Sequence, residues 1–461
     1  MRRSLVIAGT ALAAAALPAV PVLAQGSAVM THGSCATALG AAGVAGPCQD
    51  GSAILFSPAA LAMQGSVVSG GLTGITTGGS FTYDYTGQRV VREEGTKQVP
   101  FGFASIRLGD KAAFGVGGFA PYGLGVDWPL NFEGRYTSYD TELKNIYIQP
   151  TLAYRFGKRL AIGAGLDYVH ATIDINQRVD LAGVAASGPV TFGQLGIPSG
   201  TDFANVGLSG KGHAITFNTS AIIGLTDKLD LGVRYMHKAK IDYDGDAVFT
   251  QVPTGLTLAA GNPLGRPAGT PVDSLVAGQF RTGGTLVNQG LTTSLTLPST
   301  LTVGLAARPF EGLKLVADYQ RTNWSSFDSA GINFQGGGPS SQLILDYQNT
   351  NTYRFGADWS ATDALNLRGG FIFNTAAEKA ASVSPLLPEG ERNYLTAGLG
   401  YKVGPLGLDL GYQHIHQGDR RGRTRPRTNI AQTPAQLNTG VYHVNAHVLN
   451  ATLAYHFGGH R

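Results

Sequence analysis

The chain has 461 residues, of which 65 are glycine and only 14% are charged. Soluble domains carry roughly a quarter charged residues, so this composition argues against ordinary soluble domains and favours many strands that each have one apolar face. The net charge is +4 and becomes +2 when Arg2 and Arg3 are subtracted, which gives no electrostatic case for a nucleic-acid partner.

Residues 1–24 are predicted to be a secretory signal peptide. Arg2 and Arg3 form a charged start, an apolar run follows, and Ala24 precedes the predicted cleavage site. A membrane-anchoring helix is the alternative interpretation, but Pro18 and Pro21 interrupt the run. No stretch of 18 or more apolar residues follows, so no conventional transmembrane helix is predicted in the mature chain.

Residues 25–66 lack sustained alternation and are rich in alanine and glycine. They are predicted to form a compact N-terminal plug, or hatch, inside a β-barrel formed by the residues that follow. Cys35 and Cys48 are the two cysteines of the chain, and an even count in an exported protein indicates one disulfide that closes a short loop. A metal site is the weaker interpretation, because no second cysteine pair or nearby histidine pair completes it.

The region 67–457 alternates apolar and polar residues, which predicts β-strands with one apolar face. In 146–156, for example, Ile146, Ile148, Leu152 and Tyr154 share one face. Fourteen candidate strands follow this pattern, near 67–76, 97–108, 112–123, 142–156, 160–176, 213–226, 229–245, 291–309, 313–334, 344–359, 365–376, 393–403, 406–418 and 441–457.

The connections between these strands distinguish a barrel from a soluble sandwich, which alternation alone does not. Turns such as 109–111 and 157–159 are tiny, whereas the connections around 178–212 and 246–290 are long. Short turns on one rim and long loops on the other are typical of an outer-membrane barrel. The sequence therefore predicts an all-β fold, a 14-stranded antiparallel transmembrane β-barrel over 67–457, with a short tail at 458–461.

The last predicted strand ends on the alternate aromatics Tyr455 and Phe457. Such a strand resembles the signal by which bacterial barrels are recognised for insertion, which implies the barrel-assembly machinery as a partner. The predicted location is the bacterial outer membrane, which the chain crosses many times as a monomer.

Six blocks in shared order carry a resemblance to a known family: 40–62, 121–136, 148–168, 297–309, 323–327 and 386–403. In these blocks the chain resembles the FadL-type outer-membrane transport family, which imports long-chain fatty acids and, in relatives, aromatic hydrocarbons. The family's plug motif is Asn-Pro-Ala, and the corresponding residues here are Ser57, Pro58 and Ala59. Serine still offers a hydrogen bond at a turn but lacks the second group of the amide.

The resemblance implies capture of a hydrophobic substrate at the extracellular loops, rearrangement of the hatch, and lateral exit through a gap in the wall. That gap comes from a kink in the third strand. Glycine and proline weaken a strand ladder, so the candidate kink residues are Gly115, Gly117, Gly118 and Pro121. The alternative is that these are ordinary glycines of a glycine-rich barrel.

Ligand-binding candidates fall into two groups. The first is an aromatic-rich stretch that follows the third strand and lines a capture groove or, alternatively, anchors its loop at the headgroup level: Phe119, Tyr122, Leu124, Trp128 and Phe132. The second comprises inward-facing arginines suited to a carboxylate head group or, alternatively, paired in a luminal charge network: Arg155, Arg234 and Arg368.

Other functions have weaker support in the sequence. No catalytic constellation, cofactor motif or metal site is predicted, and the histidines near 414–416 and 443 are read as rim residues. A nonspecific porin for polar solutes, a lipid-acting barrel enzyme and an adhesin remain alternatives. The arginine-rich stretch 418–427 offers a contact to lipopolysaccharide phosphates or, alternatively, forms a solvated loop. The leading hypothesis is a transporter of fatty acids, with aromatic hydrocarbons as the alternative cargo.

Overall fold

The computed structural model describes residues 28–93, 95–327, 329–336, 341–344, 347–379, 382–425, 433 and 435–458. The predicted signal peptide lies outside the described residues. Within them, fourteen antiparallel strands form the wall: β1 (Ser66–Tyr83), β2 (Gly95–Leu108), β3 (Ala112–Asp127), β4 (Asp140–Phe156), β5 (Leu160–Asp180), β6 (Asp202–Gly224), β7 (Leu229–Met236, continued by Ala239–Gln251), β8 (Gln289–Leu297, continued by Thr300–Ala307), β9 (Leu313–Thr322, continued by Ser329–Phe334), β10 (Ser341–Ile344, continued by Thr350–Ser360), β11 (Leu365–Asn374), β12 (Arg392–Val403), β13 (Leu406–Gln417, continued by Arg420–Arg423) and β14 (Thr439–Phe457).

The wall closes between its first and last strands. β1 pairs with β14 from Ser66 opposite Phe457 to Tyr83 opposite Gly440. The predicted 14-stranded barrel is therefore confirmed. None of the helices among the described residues is both long and apolar enough to cross a membrane.

The exposure of the side chains in the wall distinguishes the outer face of the barrel from the face that lines the lumen. On β4, Ile146 and Leu152 are 49% and 62% exposed, whereas Tyr147 and Gln149 are buried. Large apolar side chains thus point outward and polar ones inward, the reverse of a soluble sandwich. This arrangement suits a barrel whose outer surface is solvated by lipid.

The two rims differ as predicted, although the long connections are shorter than expected. Because β5 continues to Asp180 and β6 begins at Asp202, the connection between them is 181–201. The connection between β7 and β8 is 252–288. The boundaries 178–212 and 246–290 were too wide because polar residues beyond the apolar band still pair, as Gln251 does with Ala204. We assign the long-loop rim to the extracellular side.

Short helices, turns and strands lie in the connections of the barrel and in the residues that precede β1. The connections carry small strands at Arg89–Val91, Ala185–Ser187 and Val190–Thr191, the helix α3 (Val272–Val276), and 3₁₀ turns at Glu133–Tyr136, Leu181–Gly183, Gly193–Leu195, Ala277–Phe280 and Trp324–Ser326. Residues 28–65, which we call the N-terminal segment, contain α1 (Ser34–Ala38), α2 (Ala53–Phe56) and a 3₁₀ turn at Pro58–Met63.

The N-terminal segment lies inside the barrel and bonds to opposite sides of the wall. The Ser34 amide donates to Thr452 Oγ1 on β14 at 2.9 Å, and the Gly43 amide donates to Asp318 Oδ2 on β9 at 2.8 Å. On the other side, Gln149 Nε2 of β4 donates to the Ile54 carbonyl at 2.7 Å. The bonds of Ser34 and Ile54 satisfy backbone groups that the short helices leave unpaired.

Glycines let the backbone of this segment approach the wall. They lie on six strands at the contact: Gly163, Gly232, Gly356, Gly370, Gly398 and Gly411. A Cβ at Gly370 would be 2.7 Å from the Gly40 nitrogen, and one at Gly411 would be 2.7 Å from the Ser34 carbonyl oxygen. The glycine richness of the sequence therefore has, in part, a packing cause.

A disulfide joins Cys35 and Cys48, as the cysteine count predicted. It encloses α1 and the loop that contacts β7 to β11. Both cysteines are buried.

Candidate functional site

A cavity of about 860 Å³ occupies the lumen on the extracellular side of the N-terminal segment. This volume lies toward the upper end of the roughly 300–1,000 Å³ typical of small-molecule sites. Much of the lining is apolar and comes from both the N-terminal segment and the wall: Met30, Ile75, Phe101, Phe119, Ile372 and Val448.

One wall of the cavity is polar and cationic. Arg354 on β10 faces Ile372 on β11, which in turn faces Tyr394 on β12. Arg392 lies on β12, two residues before Tyr394, and donates from Nε to Gln417 Oε1 at 3.0 Å. Arg354 Nη1 donates to Gln320 Oε1 at 2.9 Å, while its buried Nε has no partner among the described residues. Two guanidinium groups therefore line one side of a largely apolar space.

The opposite side of the cavity meets an interruption in the wall. β2 and β3 pair only as far as Gly102 opposite Gly118. Beyond that point β2 continues with β1, and β3 continues with β4 to Asp127. The upper halves of β2 and β3 are thus unpaired with each other, and we call this interruption the wall gap.

The N-terminal segment takes up backbone groups that the wall gap frees on β3. The β3–β4 register shifts between Phe119 and Tyr122. The Ala120 amide donates to His32 Nε2 at 3.0 Å, and the Val29 amide donates to the Pro121 carbonyl at 2.8 Å. Burial lowers the pKa of His32 to about 3, so the imidazole remains neutral and can accept this bond.

The predicted kink residues have separate roles. Gly115 and Gly117 lie in the paired part of β3, below the gap, and a Cβ at either would be within 3.0 Å of the Ile54 side chain. They make room for the N-terminal segment. Gly118 forms the last pair with β2, and Pro121 lies within the register shift.

Three of the five aromatic-stretch candidates line the cavity, namely Phe119, Tyr122 and Leu124. They belong to β3 itself, which extends to Asp127 and not to 123 as predicted. Trp128 and Phe132 do not line it. They pack against Phe81 and Tyr442 in a separate aromatic cluster.

The three candidate arginines lie outside the lining of the main cavity. Arg155 lies at the periplasmic end of β4 and donates to the Asp110 carbonyl. Arg368 is paired with Asp358 and Asp409. Arg234 donates to Asn218 Oδ1 at 3.0 Å and borders a much smaller space. All three point inward, but alternation does not indicate on which side of the N-terminal segment they lie.

The motif residues Ser57, Pro58 and Ala59 hold the segment to itself and to the wall. Ser57 Oγ donates to the Val44 carbonyl at 2.7 Å, and the Ala59 amide donates to Ser220 Oγ on β6 at 2.8 Å. The backbone of Pro58 rests against Gly163 of β5. Ser57 thus links the loop around Val44 to the 3₁₀ turn that begins at Pro58.

The arginine-rich stretch bonds to other extracellular connections. Arg421 pairs with Asp84 at 2.6 Å, and Arg425 pairs with Glu133 at 2.6 Å and with Asp180 at 3.0 Å. Arg427 lies outside the described residues. These ion pairs differ from the fully solvated loop that was one of the two expectations.

Two buried carboxylates hold the connection between β11 and β12, which contributes Leu387 and Pro388 to the cavity. The Ala377 amide donates to Glu389 Oε2 at 3.0 Å, and the Glu389 amide donates to Glu378 Oε2 at 3.2 Å. Burial raises the pKa of Glu378 well above its usual range and also raises the pKa of Glu389, although nearby Arg420 lowers both.

We expect this connection to loosen as the pH rises. A carboxyl whose pKa is raised by folding stabilises the folded form fully at low pH, and that contribution is lost as the pH rises through the raised value. Protease cleavage within 375–391 should therefore increase as the pH rises above the ordinary pKa range of a glutamate. Glu378→Gln, which mimics the protonated form, should weaken this pH dependence. Cleavage that is equally fast at every pH in the wild type would contradict the prediction.

A closed barrel with lipid-facing apolar side chains and a filled, polar interior defines a transmembrane β-barrel of the bacterial outer membrane. The sequence matches, over residues 15–457, the family described as "Outer membrane protein transport protein (OMPP1/FadL/TodX)". The chain belongs to this family and is an outer-membrane transport protein of the FadL/TodX type.

Individual relatives are distant. The chain is similar to outer membrane protein P1 of Haemophilus influenzae, with 23% identity over 67% of this chain and 63% of that protein. It is similar to the long-chain fatty acid transport protein of Escherichia coli O6:H1, with 23% identity over 67% of each.

Solved structures show the same fold. A Pseudomonas aeruginosa FadL homologue superposes with a TM-score of 0.79 at 20% identity, covering 94% of this chain and 100% of that one. The Pseudomonas putida toluene transporter TodX superposes with a TM-score of 0.63 at 18% identity, covering 95% of this chain and 99% of that one.

Proposed function

We propose that this protein takes up long-chain fatty acids, which enter the cavity from the extracellular loops and leave sideways through the wall gap. The main supporting observation is the composition of the cavity, which has a largely apolar lining with Arg354 and Arg392 on one wall. An aliphatic tail fits the apolar part, and a guanidinium binds both oxygens of a carboxylate.

The height of the wall gap supports the lateral route. Gly102 lies six residues above Leu108, where β2 ends at the periplasmic turn. With a rise of about 3.4 Å per residue and a tilt of about 40°, this separation is about 16 Å. The apolar band of such barrels is about 25 Å tall. The gap therefore faces the outer half of the membrane, where an amphipathic molecule is soluble.

The hatch part of the proposal concerns residues 28–31. These residues line the cavity beside the wall gap, and Ala28 bridges to Tyr122 of β3. A substrate that leaves through the gap must move them or pass beside them.

Arg392→Gln tests the nature of the head group. A charge-assisted hydrogen bond contributes about 1.5–3 kcal/mol, so the Kd for oleate should rise at least about tenfold. The Kd for a neutral hydrocarbon such as toluene should not change. Isothermal titration of the detergent-purified barrel, together with uptake of labelled oleate by a deletion strain that carries each variant, provides the measurement.

Arg155→Gln is the matched control, because Arg155 also points into the lumen but lies at its periplasmic end. It should leave oleate binding unchanged. Equal losses for oleate and toluene in Arg392→Gln, or no loss for either, would contradict a fatty-acid function. Toluene uptake without oleate uptake in the wild type would favour the second candidate, an aromatic-hydrocarbon transporter, which the likeness to TodX supports.

A further inference from the structure

Two cationic side chains reach across the wall gap. Arg92 is held at β1 by a bond from its amide to the Gly79 carbonyl, and its Nη2 donates to the Gly125 carbonyl of β3 at 2.7 Å. Lys97 extends from β2, and its Nζ lies 3.7 Å from Asp127 Oδ2 on β3 and 3.8 Å from Glu142 Oε1 on β4. Both side chains also line the cavity.

The path of Lys97 depends on Gly125. A Cβ at that position would be 3.0 Å from Lys97 Cε and within 3.7 Å of its Cγ and Cδ. The aliphatic part of Lys97 therefore lies directly over the backbone of β3. A larger residue at 125 would displace the side chain from its carboxylate partners.

The ion pairs of Lys97 are easily exchanged. The side chain is 48% exposed, and exposed pairs of this kind change an equilibrium constant by at most about fivefold. Glu142 has a second partner, since its Oε2 lies 2.5 Å from Lys144 Nζ. When Lys97 moves away, Glu142 therefore keeps a counter-ion.

We propose that Lys97 is a specificity-determining residue at the wall gap, where it exchanges Asp127 and Glu142 for the carboxylate of a departing substrate. This inference rests on the proposed uptake of fatty acids. A fatty acid carries a carboxylate that can replace Asp127 and Glu142 as the counter-ion of Lys97, whereas a neutral hydrocarbon carries no such group. Arg92, 6% exposed and with a buried Nε that has no partner among the described residues, offers a second donor to the same carboxylate.

A reversible cross-link tests whether this position controls exit. Lys97 Cγ lies 3.6 Å from the site of a Gly125 Cβ, and a cysteine sulfur occupies the Cγ position. The double variant Lys97→Cys with Gly125→Cys therefore has nearly the separation that a disulfide needs. We expect uptake of labelled oleate by cells to fall more than tenfold on oxidation and to recover on reduction. Recovery shows that the variant barrel is folded.

The control places a cross-link between the same strands where they already pair. Ile106 of β2 faces Phe114 of β3, and both side chains are exposed to lipid. Ile106→Cys with Phe114→Cys should form a disulfide without changing uptake. Wild-type uptake by the oxidised 97–125 variant would overturn the proposal.

A charge variant tests specificity. In Lys97→Met the ratio of oleate to toluene uptake should fall about two- to fivefold, as expected for exposed ion pairs, and Lys97→Arg should restore it. An unchanged ratio would overturn the role of Lys97. A wild type that carries toluene but not oleate would instead refute the fatty-acid function, and the 97–125 cross-link should then still block toluene uptake.

Discussion

Gly370→Val is expected to convert a closed barrel into a leaky one. Gly370 faces the lumen on β11, where a Cβ would lie 2.7 Å from both the nitrogen of Gly40 and the carbonyl carbon of Leu39. Backbone atoms cannot rotate away as side-chain ends do. Overpacking typically costs about 1–3 kcal/mol, and this cost falls on the N-terminal segment, because valine itself is well suited to a strand.

A displaced segment would leave a fourteen-stranded barrel with an open lumen, so steady ion conductance in planar bilayers should appear where the wild type is nearly silent. Gly369→Val is a close control. Gly369 is the next residue on the same strand, and a Cβ there would meet only the Thr396 carbonyl oxygen, at 3.8 Å. It should fold and remain closed. Equal conductance for the two variants would show that the segment does not seal the lumen.

Replacing both Cys35 and Cys48 by serine should loosen one half of the N-terminal segment. The disulfide closes a loop with a sequence separation of 13 residues. The loop-entropy model assigns about 3 kcal/mol to a loop of this size, which corresponds to roughly a hundredfold change in an opening equilibrium. Amides between residues 35 and 48 should exchange hydrogen faster by up to this factor, and the segment should become sensitive to protease.

Amides of α2 and of the following 3₁₀ turn provide the internal reference. They are held separately, through Gln149, Asn218 and Ser220 of the wall. We expect their exchange to change less than that of α1. Uniform loss of protection throughout the segment, or no loss at all, would contradict a local role for the disulfide.

The number of strands and the closure of the wall were predictable because lipid imposes a strict rule on each strand. Outward residues must be apolar, and backbone groups at membrane depth must find hydrogen-bond partners within the protein, so alternation and short turns define the strands. Strand ends were less predictable. β3 continues to Asp127 because its polar end still pairs with β4.

The site was harder to predict, because alternation indicates the direction of a side chain but not its height relative to the N-terminal segment. Arg155 and Arg354 both point inward, yet only Arg354 lines the cavity. The sequence analysis did not select Arg392, Arg92 or Lys97. Arg392 is the first residue of its strand, and Arg92 and Lys97 lie beside a gap that forms because β2 and β3 stop pairing with each other. The signal that could have indicated Arg392 is its position two residues before Tyr394 in the alternation of β12.

The contacts between the N-terminal segment and β14 have a consequence for the order of assembly. Ser34 Oγ bonds to Asn450 and Thr452, residues more than 400 positions later in the chain. The N-terminal segment is synthesised long before β14, and it therefore completes its contacts with the wall only when the last strand arrives. Seating of the segment and closure of the β1–β14 seam should be coupled late steps of biogenesis, so a barrel that fails to close would also leave its N-terminus exposed to proteases.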